Sequence, residues 1–136
     1  MSVPMRRGLA CSIALLWLLS LVLPALRIND SDNPGYVYLL WGVLGLLLGY
    51  VEWLANPLVV AAVIVLWLDD TPRIIRRIMA ISLTFLVMLS LSRHGLPTDE
   101  GGMPRMIEGR LVGYGAWLGS ILLAGLGLFP WRAQNR

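Results

Sequence analysis

Long apolar runs with almost no charged residues constrain this chain more than any other feature of its sequence. The first run, Gly8–Leu26, contains 19 residues and follows Arg6 and Arg7. As a helix it would be about 28 Å long, which matches the hydrocarbon thickness of a bilayer. A cleavable signal sequence has a shorter apolar core, of about 7–15 residues. The run is therefore predicted to be an uncleaved membrane-spanning helix.

Three further apolar stretches follow, over residues 36–68, 73–92 and 105–129. The first of these is too long for one straight span, because its 33 residues would form a helix of about 50 Å. Glu52 and Asn56-Pro57 interrupt it, and Asn followed by Pro is typical of a helix start with Asn as the N-cap. We therefore predict one helical piece over 36–53 and another that begins near Pro57.

Polar and proline-containing segments separate these stretches. The loop 27–35 contains Pro34-Gly35, a typical turn pair, and residues 69–72 form a capped helix boundary. Residues 92–104 form the longest polar loop, and Pro130 is expected to stop the last helix. The predicted fold over residues 1–136 is a single all-α transmembrane domain, a polytopic bundle of about four spans. Its second apolar stretch is predicted to be a broken or re-entrant helix.

All 11 basic residues are arginines, and their distribution predicts the orientation of the chain. Cytoplasmic loops carry the excess of positive charge in membrane proteins. If residues 36–68 cross the membrane once, seven arginines share the side of the two termini and four lie opposite. If they cross twice, the corresponding counts are five and six, and the bias inverts. The rule therefore favours four spans with both termini in the cytoplasm.

Glu52 lies inside an apolar stretch, between Tyr50 and Trp53. A carboxylate in the membrane interior is costly and often marks a functional site. Under that interpretation Glu52, with Asn56 near the helix break, takes up a proton or binds a cation, as in the broken helices of transporters. Under the other interpretation, which we favour, the break lies at the outer interface and Glu52 touches water, since Tyr and Trp are enriched there.

In lipid the hydrophobic effect does not drive helices together, so helix association depends on close packing. Small residues on one helix face let two backbones approach, and such residues are predicted to mark packing faces. These residues are Gly42, Gly45 and Gly49 in the second stretch and Gly115 and Gly119 in the last. Arginines at the ends of spans are predicted to anchor the chain to lipid headgroups. This set comprises Arg6, Arg7, Arg73, Arg76 and Arg77.

Residue types that carry chemistry do not cluster in this sequence. Cys11 is the single cysteine, so no disulfide can form within the chain, and His94 has no metal-ligating neighbour. No nucleophile is paired with a base. We therefore expect no catalytic, cofactor or metal site, and no enzyme activity. Short loops also cannot build the basic, aromatic face that nucleic acid requires, so no nucleic-acid partner is expected.

The run Trp53-Leu54-Ala55-Asn56-Pro57, with Gly42-Val43-Leu44-Gly45 before it and Gly113–Leu118 near the end, resembles a loose group of small bacterial inner-membrane proteins. The likeness covers most of the chain. It implies a location in the bacterial inner membrane and several spans, but no activity and no functional residues. Glu52 stands where that pattern would have an apolar or small residue, so the resemblance implies no shared role for it.

Three functions are compatible with these features. The first is interaction within a membrane complex, in the lipid bilayer, with another membrane protein or a second copy of the chain. The second is a small transporter or channel component that uses Glu52. The third is an immunity-type protein that blocks a membrane-active toxin. The near absence of a soluble domain and the glycine-rich faces favour the first.

Overall fold

The computed structural model describes residues 2–68, 70–97 and 104–129, and five α-helices account for most of them. The helices are α1 (Val3–Val22), α2 (Gly35–Leu47), α3 (Ala55–Leu68), α4 (Arg73–Ser92) and α5 (Val112–Leu128), and a 3₁₀ helix, Val51–Leu54, leads directly into α3. Short strands lie in the connections: β1 (Pro24–Ile28), β2 (Ser31–Pro34), β3 (Gly95–Pro97), β4 (Pro104–Met106) and β5 (Gly109–Arg110). The predicted helical architecture is confirmed, but the chain is not purely α-helical.

Three helices in the described part of the chain are long and apolar enough to cross a membrane: α1, α4 and the continuous helix Val51–Leu68. The apolar helices α5 and α2 are shorter, with 17 and 13 residues. Large apolar side chains are exposed along the bundle, such as Leu47 at 84% and Ile81 at 68%. Water would make such a surface unfavourable, whereas lipid accommodates it, so the helices are compatible with a membrane location.

The core runs along the inside of the bundle, where α5 packs against α1 and α4, and α1 packs against α3. Its side chains recur every three or four residues, which is the spacing of one helix face. They are Ala10 and Ile13 on α1, Val59, Ala62 and Leu66 on α3, Leu83 and Leu86 on α4, and Ile121, Ala124 and Leu128 on α5.

Two prolines place α1 earlier than the predicted span 8–26. Pro4 is tolerated in the first turn, where its missing N–H has no helical partner, and the helix begins at Val3. Pro24 cannot continue the helical hydrogen bonds, and it pushes Leu23 into an extended conformation with ψ of 150°. The last residues of the predicted span therefore belong to β1 and not to the helix.

The predicted polar loop 27–35 is a β-hairpin in the structure. Strands β1 and β2 pair antiparallel, with Arg27 opposite Asp32. Asn29 and Asp30 connect them with φ angles of 51° and 59°, the left-handed conformation that a two-residue type I′ turn requires. The sequence feature that indicates this hairpin is the pair Asn29-Asp30 at the turn.

Pairing with this hairpin also delays the start of the last helix. Strand β5 pairs antiparallel with the other edge of β1, and β3 pairs with β4 in a second small sheet. The Leu111 N–H donates to the Ala25 carbonyl at 2.8 Å. Backbone groups before Val112 are thus bonded to strands, so α5 begins at Val112 and not near 105 as predicted.

The predicted interruption of residues 36–68 is present, but it lies earlier than expected. Gly49 has a φ of 83°, and the Tyr50 N–H donates to the Gly45 carbonyl at 2.9 Å. The Gly49 N–H donates to Leu46 at 3.1 Å, which completes a Schellman motif at the end of α2. Helix α4 matches the predicted 73–92. The predictions for Asp69, for residues 98–103 and for the stop at Pro130 lie outside the described residues.

Candidate functional site

A cavity of about 780 Å³ lies at the strand-bearing end of the bundle, between α2, the 3₁₀ helix and the adjoining ends of α1, α4 and α5. Glu52 and Asn56, the two polar residues singled out by the sequence, both line it, together with Arg93 and Arg110. Ligand sites typically have volumes of about 300–1,000 Å³ and a few polar groups in an apolar wall. The cavity is the candidate functional site.

Glu52 lies on the 3₁₀ helix and faces Arg93, the residue that follows α4. The Arg93 Nε atom is 3.0 Å from Glu52 Oε1, and the Glu52 side chain is 12% exposed. Both carboxylate oxygens are buried, and among the described residues neither has a hydrogen-bond partner, so proximity of charge holds the pair. The carboxylate thus lies away from solvent, unlike the interpretation in which Glu52 touches water.

Arg93 also stabilises the end of α2. Its Nη2 donates to the Gly49 carbonyl at 3.0 Å, and its guanidinium lies 4.6 Å from the centre of the Tyr50 ring. Carbonyls at a helix end lack partners within the helix, so a nearby cation with free donors is favourable there. One arginine therefore joins the break after α2, the 3₁₀ helix and α4. The sequence analysis did not single out Arg93, although an arginine at the end of a span is a natural partner for a carboxylate in an apolar stretch.

Arg110 covers the end of α4 in a similar way. Its Nη2 lies within hydrogen-bond distance of three carbonyls, those of Ser90 at 3.3 Å, Leu91 at 2.9 Å and Arg93 at 2.8 Å. The Arg110 guanidinium is also 5.3 Å from the centre of the Tyr114 ring. The Tyr114 hydroxyl is 2.9 Å from the Ser90 hydroxyl, which ties α5 to α4 beside the cavity.

Asn56 connects three helices through its side-chain amide. Its Oδ1 accepts hydrogen bonds from Trp17 Nε1 at 3.1 Å and Trp117 Nε1 at 3.0 Å, and its Nδ2 donates to the Trp53 carbonyl at 3.2 Å. Asn56 is 9% exposed and lies within the first turn of α3, so it does not cap that helix as predicted. Sequence reasoning missed both indole donors. Their signal was a tryptophan inside an apolar span, whose N–H needs a partner when buried.

The hairpin at the border of the cavity carries an exposed ion pair. Arg27 Nε is 2.6 Å from Asp32 Oδ1, and Arg27 Nη2 is 3.2 Å from Oδ2. This hydrogen bond, with the charge of Arg27, lowers the pKa of the Asp32 carboxyl below its ordinary value. Glu108 accepts the Asp30 N–H at 3.0 Å and ties the turn to the segment before β5.

The predicted glycine faces are only partly used for close packing. Gly42 faces the Trp53 ring so closely that a Cβ atom would clash with it, and Gly45 lies near Tyr50. By contrast, a Cβ atom at Gly115 would meet no described residue within 4 Å, and at Gly119 it would make ordinary contact with a leucine at 3.8 Å. The last helix therefore uses other glycines for its tight contacts.

Gly113 makes the closest backbone approach of α5. A Cβ atom there would lie 2.6 Å from the Leu23 carbonyl oxygen and 2.7 Å from that of Pro24. The contact sets α5 against the bend between α1 and β1. The tight contact of α5 is therefore made by Gly113 against the backbone that follows α1. It is not made by the face of Gly115 and Gly119 that the sequence predicted.

The predicted anchoring arginines lie on the parts of α1 and α4 far from the cavity. Arg73 and Arg77 are exposed, as headgroup contact requires. Arg6 is instead 8% exposed and lies within the protein. Arg7 is 5.3 Å from the centre of a tryptophan ring on α3, and Arg76 Nε donates to a backbone carbonyl before α4 at 3.2 Å. The five residues therefore do not share one environment.

Comparison with known proteins assigns no relatives: no family model, curated protein or solved structure matches the chain. The resemblance carried by the run Trp53–Pro57 therefore stays a prediction. Among the described residues, no three His, Cys, Asp or Glu side chains are grouped so that they could hold a metal ion.

Proposed function

We propose that this chain is a multi-pass protein of the bacterial inner membrane that binds another membrane protein through helix α2. Four crossings are proposed, namely α1, the helix Val51–Leu68, α4 and α5, with both termini in the cytoplasm. In this arrangement residues 36–68 cross once, and seven of the eleven arginines lie on the cytoplasmic side. The positive-inside rule supports this orientation.

The contacts of α2 support the single crossing. The Gly35 N–H, at its start, donates to the Leu23 carbonyl at 3.2 Å, and the Gly49 carbonyl, just after its end, accepts from Arg93. Leu23 and Arg93 each follow a helix that ends at the strand-bearing end of the bundle. With 13 residues α2 is about 20 Å long, shorter than the hydrocarbon core. Both its ends are held near one end of the bundle.

The exposed face of α2 is the observation that carries the partner proposal. All residues of α2 are described, and none is buried. The large side chains on one side follow the spacing i, i+4, i+7, which is the pattern of a helix that docks into an apolar groove. They are Leu40, Trp41, Leu44 and Leu47, which are 52–84% exposed, with Leu48 just after the helix at 62%. The proposed occupant is a transmembrane helix of a partner protein.

Site-specific photo-crosslinking in native membranes tests this proposal. A photoreactive residue replaces Leu40 or Leu47, and the same residue at Ile81 of α4 serves as the control, since Ile81 is exposed to nearly the same extent as Leu40 but lies outside this face. One discrete protein adduct from both α2 positions and none from Ile81 would support the proposal. Identical adduct patterns at all three positions, or no protein adduct from α2, would contradict it. An adduct with a second copy would make the partner this chain itself.

Transport or channel activity through Glu52 is a second candidate, and the cavity beside the carboxylate favours it. Arg93 weakens this candidate, because a guanidinium already lies where a transported cation would bind. Proton and cation flux into liposomes is the appropriate measurement. Flux that Glu52→Gln abolishes and Arg77→Gln leaves intact would favour transport, whereas unchanged flux in Glu52→Gln would exclude a role of Glu52 in it.

A further inference from the structure

The wall of the cavity carries one positive charge that no carboxylate compensates. Among the described residues, three charged side chains line the cavity: Glu52, Arg93 and Arg110. Glu52 is buried against Arg93, so these two charges offset each other and neither Glu52 oxygen is open to a ligand. No ion pair joins Arg110 to a residue in the described part of the chain. A ligand of this cavity is therefore expected to bring a negative charge.

Arg110 also keeps hydrogen-bond donors for such a ligand. All hydrogen bonds that it makes to described residues leave from Nη2, so the donors on Nε and Nη1 are unused. The carbonyls at the end of α4 hold Nη2 and with it the position of the guanidinium. Guanidinium donors in a fixed fork match the oxygens of a phosphate. Arg110 is exposed, so an anion can reach these donors.

A positively charged head group finds no comparable partner in the cavity. The rings of Tyr50 and Tyr114, which could attract a cation, already face arginines at 4.6 and 5.3 Å. The acidic side chains of the hairpin and of the segment before β5 do not line the cavity; they are Asp30, Asp32 and Glu108. A zwitterionic head group would therefore place its ammonium beside arginines without a counter-charge.

The wall away from Arg110 is suited to an acyl chain. Trp53 Nε1 donates to a carbonyl of α2 at 2.9 Å, and Trp117 Nε1 donates to Asn56 at 3.0 Å, so both indoles present their apolar surface. Leu21 and Val37 add further apolar surface. The volume of about 780 Å³ is within the usual range of small-ligand sites, so it holds a head group and part of a chain.

We propose that this cavity binds an anionic phospholipid, such as one with a phosphoglycerol head group. The phosphate accepts hydrogen bonds from Nε and Nη1 of Arg110, and an acyl chain lies along the apolar wall. In the proposed arrangement the strand-bearing end of the bundle faces the periplasm, and Arg110 borders the end of α4, at the level of lipid head groups. This inference rests on the proposed membrane location but not on a partner at α2.

The test measures the lipids that remain on the full chain in native mass spectrometry after release from nanodiscs. The nanodiscs contain equal amounts of phosphoglycerol, phosphocholine and phosphoethanolamine lipids with identical acyl chains, so that only the head group differs. We expect about tenfold greater retention of the phosphoglycerol lipid than of either zwitterionic lipid, because no ammonium opposes its hydrogen bonds to Arg110. Equal retention of the three lipids, or a preference for a zwitterionic one, would overturn the proposal.

Variants separate the cavity from a general attraction of lipid anions to arginines. Arg110→Gln should remove most of the preference, whereas Arg77→Gln, exposed and far from the cavity, should keep it. A preference that persists in Arg110→Gln, or that falls equally in both variants, would overturn the proposal. If Arg110→Gln fails to fold, Leu44→Trp narrows the cavity without changing its charges and should reduce retention, with Leu40→Trp as the control outside the cavity. Unchanged retention in Leu44→Trp would also overturn it.

A soluble arm separates the lipid from its head group alone. Glycerol phosphate is added to the purified protein, and its binding is measured by the same mass spectrometry. Lipid preference without binding of glycerol phosphate supports the lipid as the ligand, whereas binding of glycerol phosphate without any lipid preference would overturn it. A protein that assembles in nanodiscs but prefers no lipid contradicts this inference alone. A protein that does not enter a bilayer contradicts the proposed function as well.

Discussion

The guanidinium of Arg93 lies 3.0 Å from the carboxylate of Glu52 and joins the 3₁₀ helix to the end of α4. The same guanidinium donates to the Gly49 carbonyl, so a single side chain holds both sides of the break that follows α2. Glu52 is almost enclosed, whereas the Arg93 side chain is 37% exposed. Loss of Arg93 therefore leaves an enclosed charge without a partner, whereas loss of Glu52 leaves a charge that is partly exposed.

Replacing Arg93 should cost more stability than replacing Glu52. Arg93→Gln leaves a buried carboxylate without its counter-charge, and we expect a loss of about 2–4 kcal/mol in the free energy of unfolding. Glu52→Gln leaves a partly exposed guanidinium that still bonds to Gly49, with an expected loss of about 1 kcal/mol. Unfolding by denaturant in detergent micelles measures both. Arg77→Gln is the control, and a double variant that is less stable than Arg93→Gln would contradict this explanation.

Asn56 should contribute stability through the two indole donors it accepts. Asn56→Leu leaves the N–H groups of Trp17 and Trp117 without their acceptor, and we expect a loss of about 2–4 kcal/mol. Trp117→Phe removes one donor and should cost less, because the bond from Trp17 remains. Unfolding in micelles checks this order, with Trp41→Phe as the control on an exposed helix. Equal stability of Asn56→Leu and the unmodified chain would show that these bonds do not hold the helices together.

Two glycines on α5 provide a matched pair for close packing. Gly113→Ala places a Cβ atom 2.6 Å from the Leu23 carbonyl oxygen, and we expect a loss of about 1–3 kcal/mol as the backbones separate. The methyl group of Gly115→Ala meets nothing within 4 Å in the described part of the chain, so this change should be neutral or stabilise α5 by up to about 1 kcal/mol. Thermal unfolding of the two variants compares them directly. A larger loss for Gly115→Ala would mean that the face around Gly115 packs against another helix.

The hairpin should respond to acid through Asp32. Its pKa is lower in the folded protein than its ordinary value because Arg27 donates hydrogen bonds to it. The ion pair is therefore fully formed above the ordinary pKa of an aspartate and is lost as the pH falls through the lowered one. Carboxyl carbon shifts in an NMR titration give the midpoint directly. Arg27→Gln should raise that midpoint towards the ordinary value of 3.8, and an unchanged midpoint would contradict the pairing.

The sequence predicted the helical architecture because long apolar runs leave few alternatives. The predicted bounds of α4 were correct at both ends, because Pro72 and the polar loop after Ser92 are local signals for the start and the end of a helix. The interruption of residues 36–68 was also foreseen, but Gly49 was assigned to packing and not to the Schellman motif that ends α2. That distinction depends on hydrogen bonds from Tyr50 and Gly49, which apolar periodicity does not encode.

Only some residues of the candidate site could be identified from the sequence. Glu52 and Asn56 stood out because polar groups are rare in apolar runs. Their partners are distant in sequence: Arg93 is 41 positions after Glu52, and Trp117 is 61 positions after Asn56. Only the packing of α3 against α1, α4 and α5 brings these groups together. Pairing of β1 with β5 is equally non-local, which explains why the start of α5 was misplaced.

Cysteine labelling in intact cells tests most directly whether residues 36–68 cross the membrane once. In a Cys11→Ser background, single cysteines replace Asp32 in the hairpin or Asp70 before α4, both of which are exposed. We predict that a membrane-impermeant maleimide labels the Asp32→Cys variant in intact cells, and the Asp70→Cys variant only after permeabilisation. Labelling of both variants in intact cells would place residues 32 and 70 on one side of the membrane. It would contradict the single crossing on which the proposed role of α2 depends.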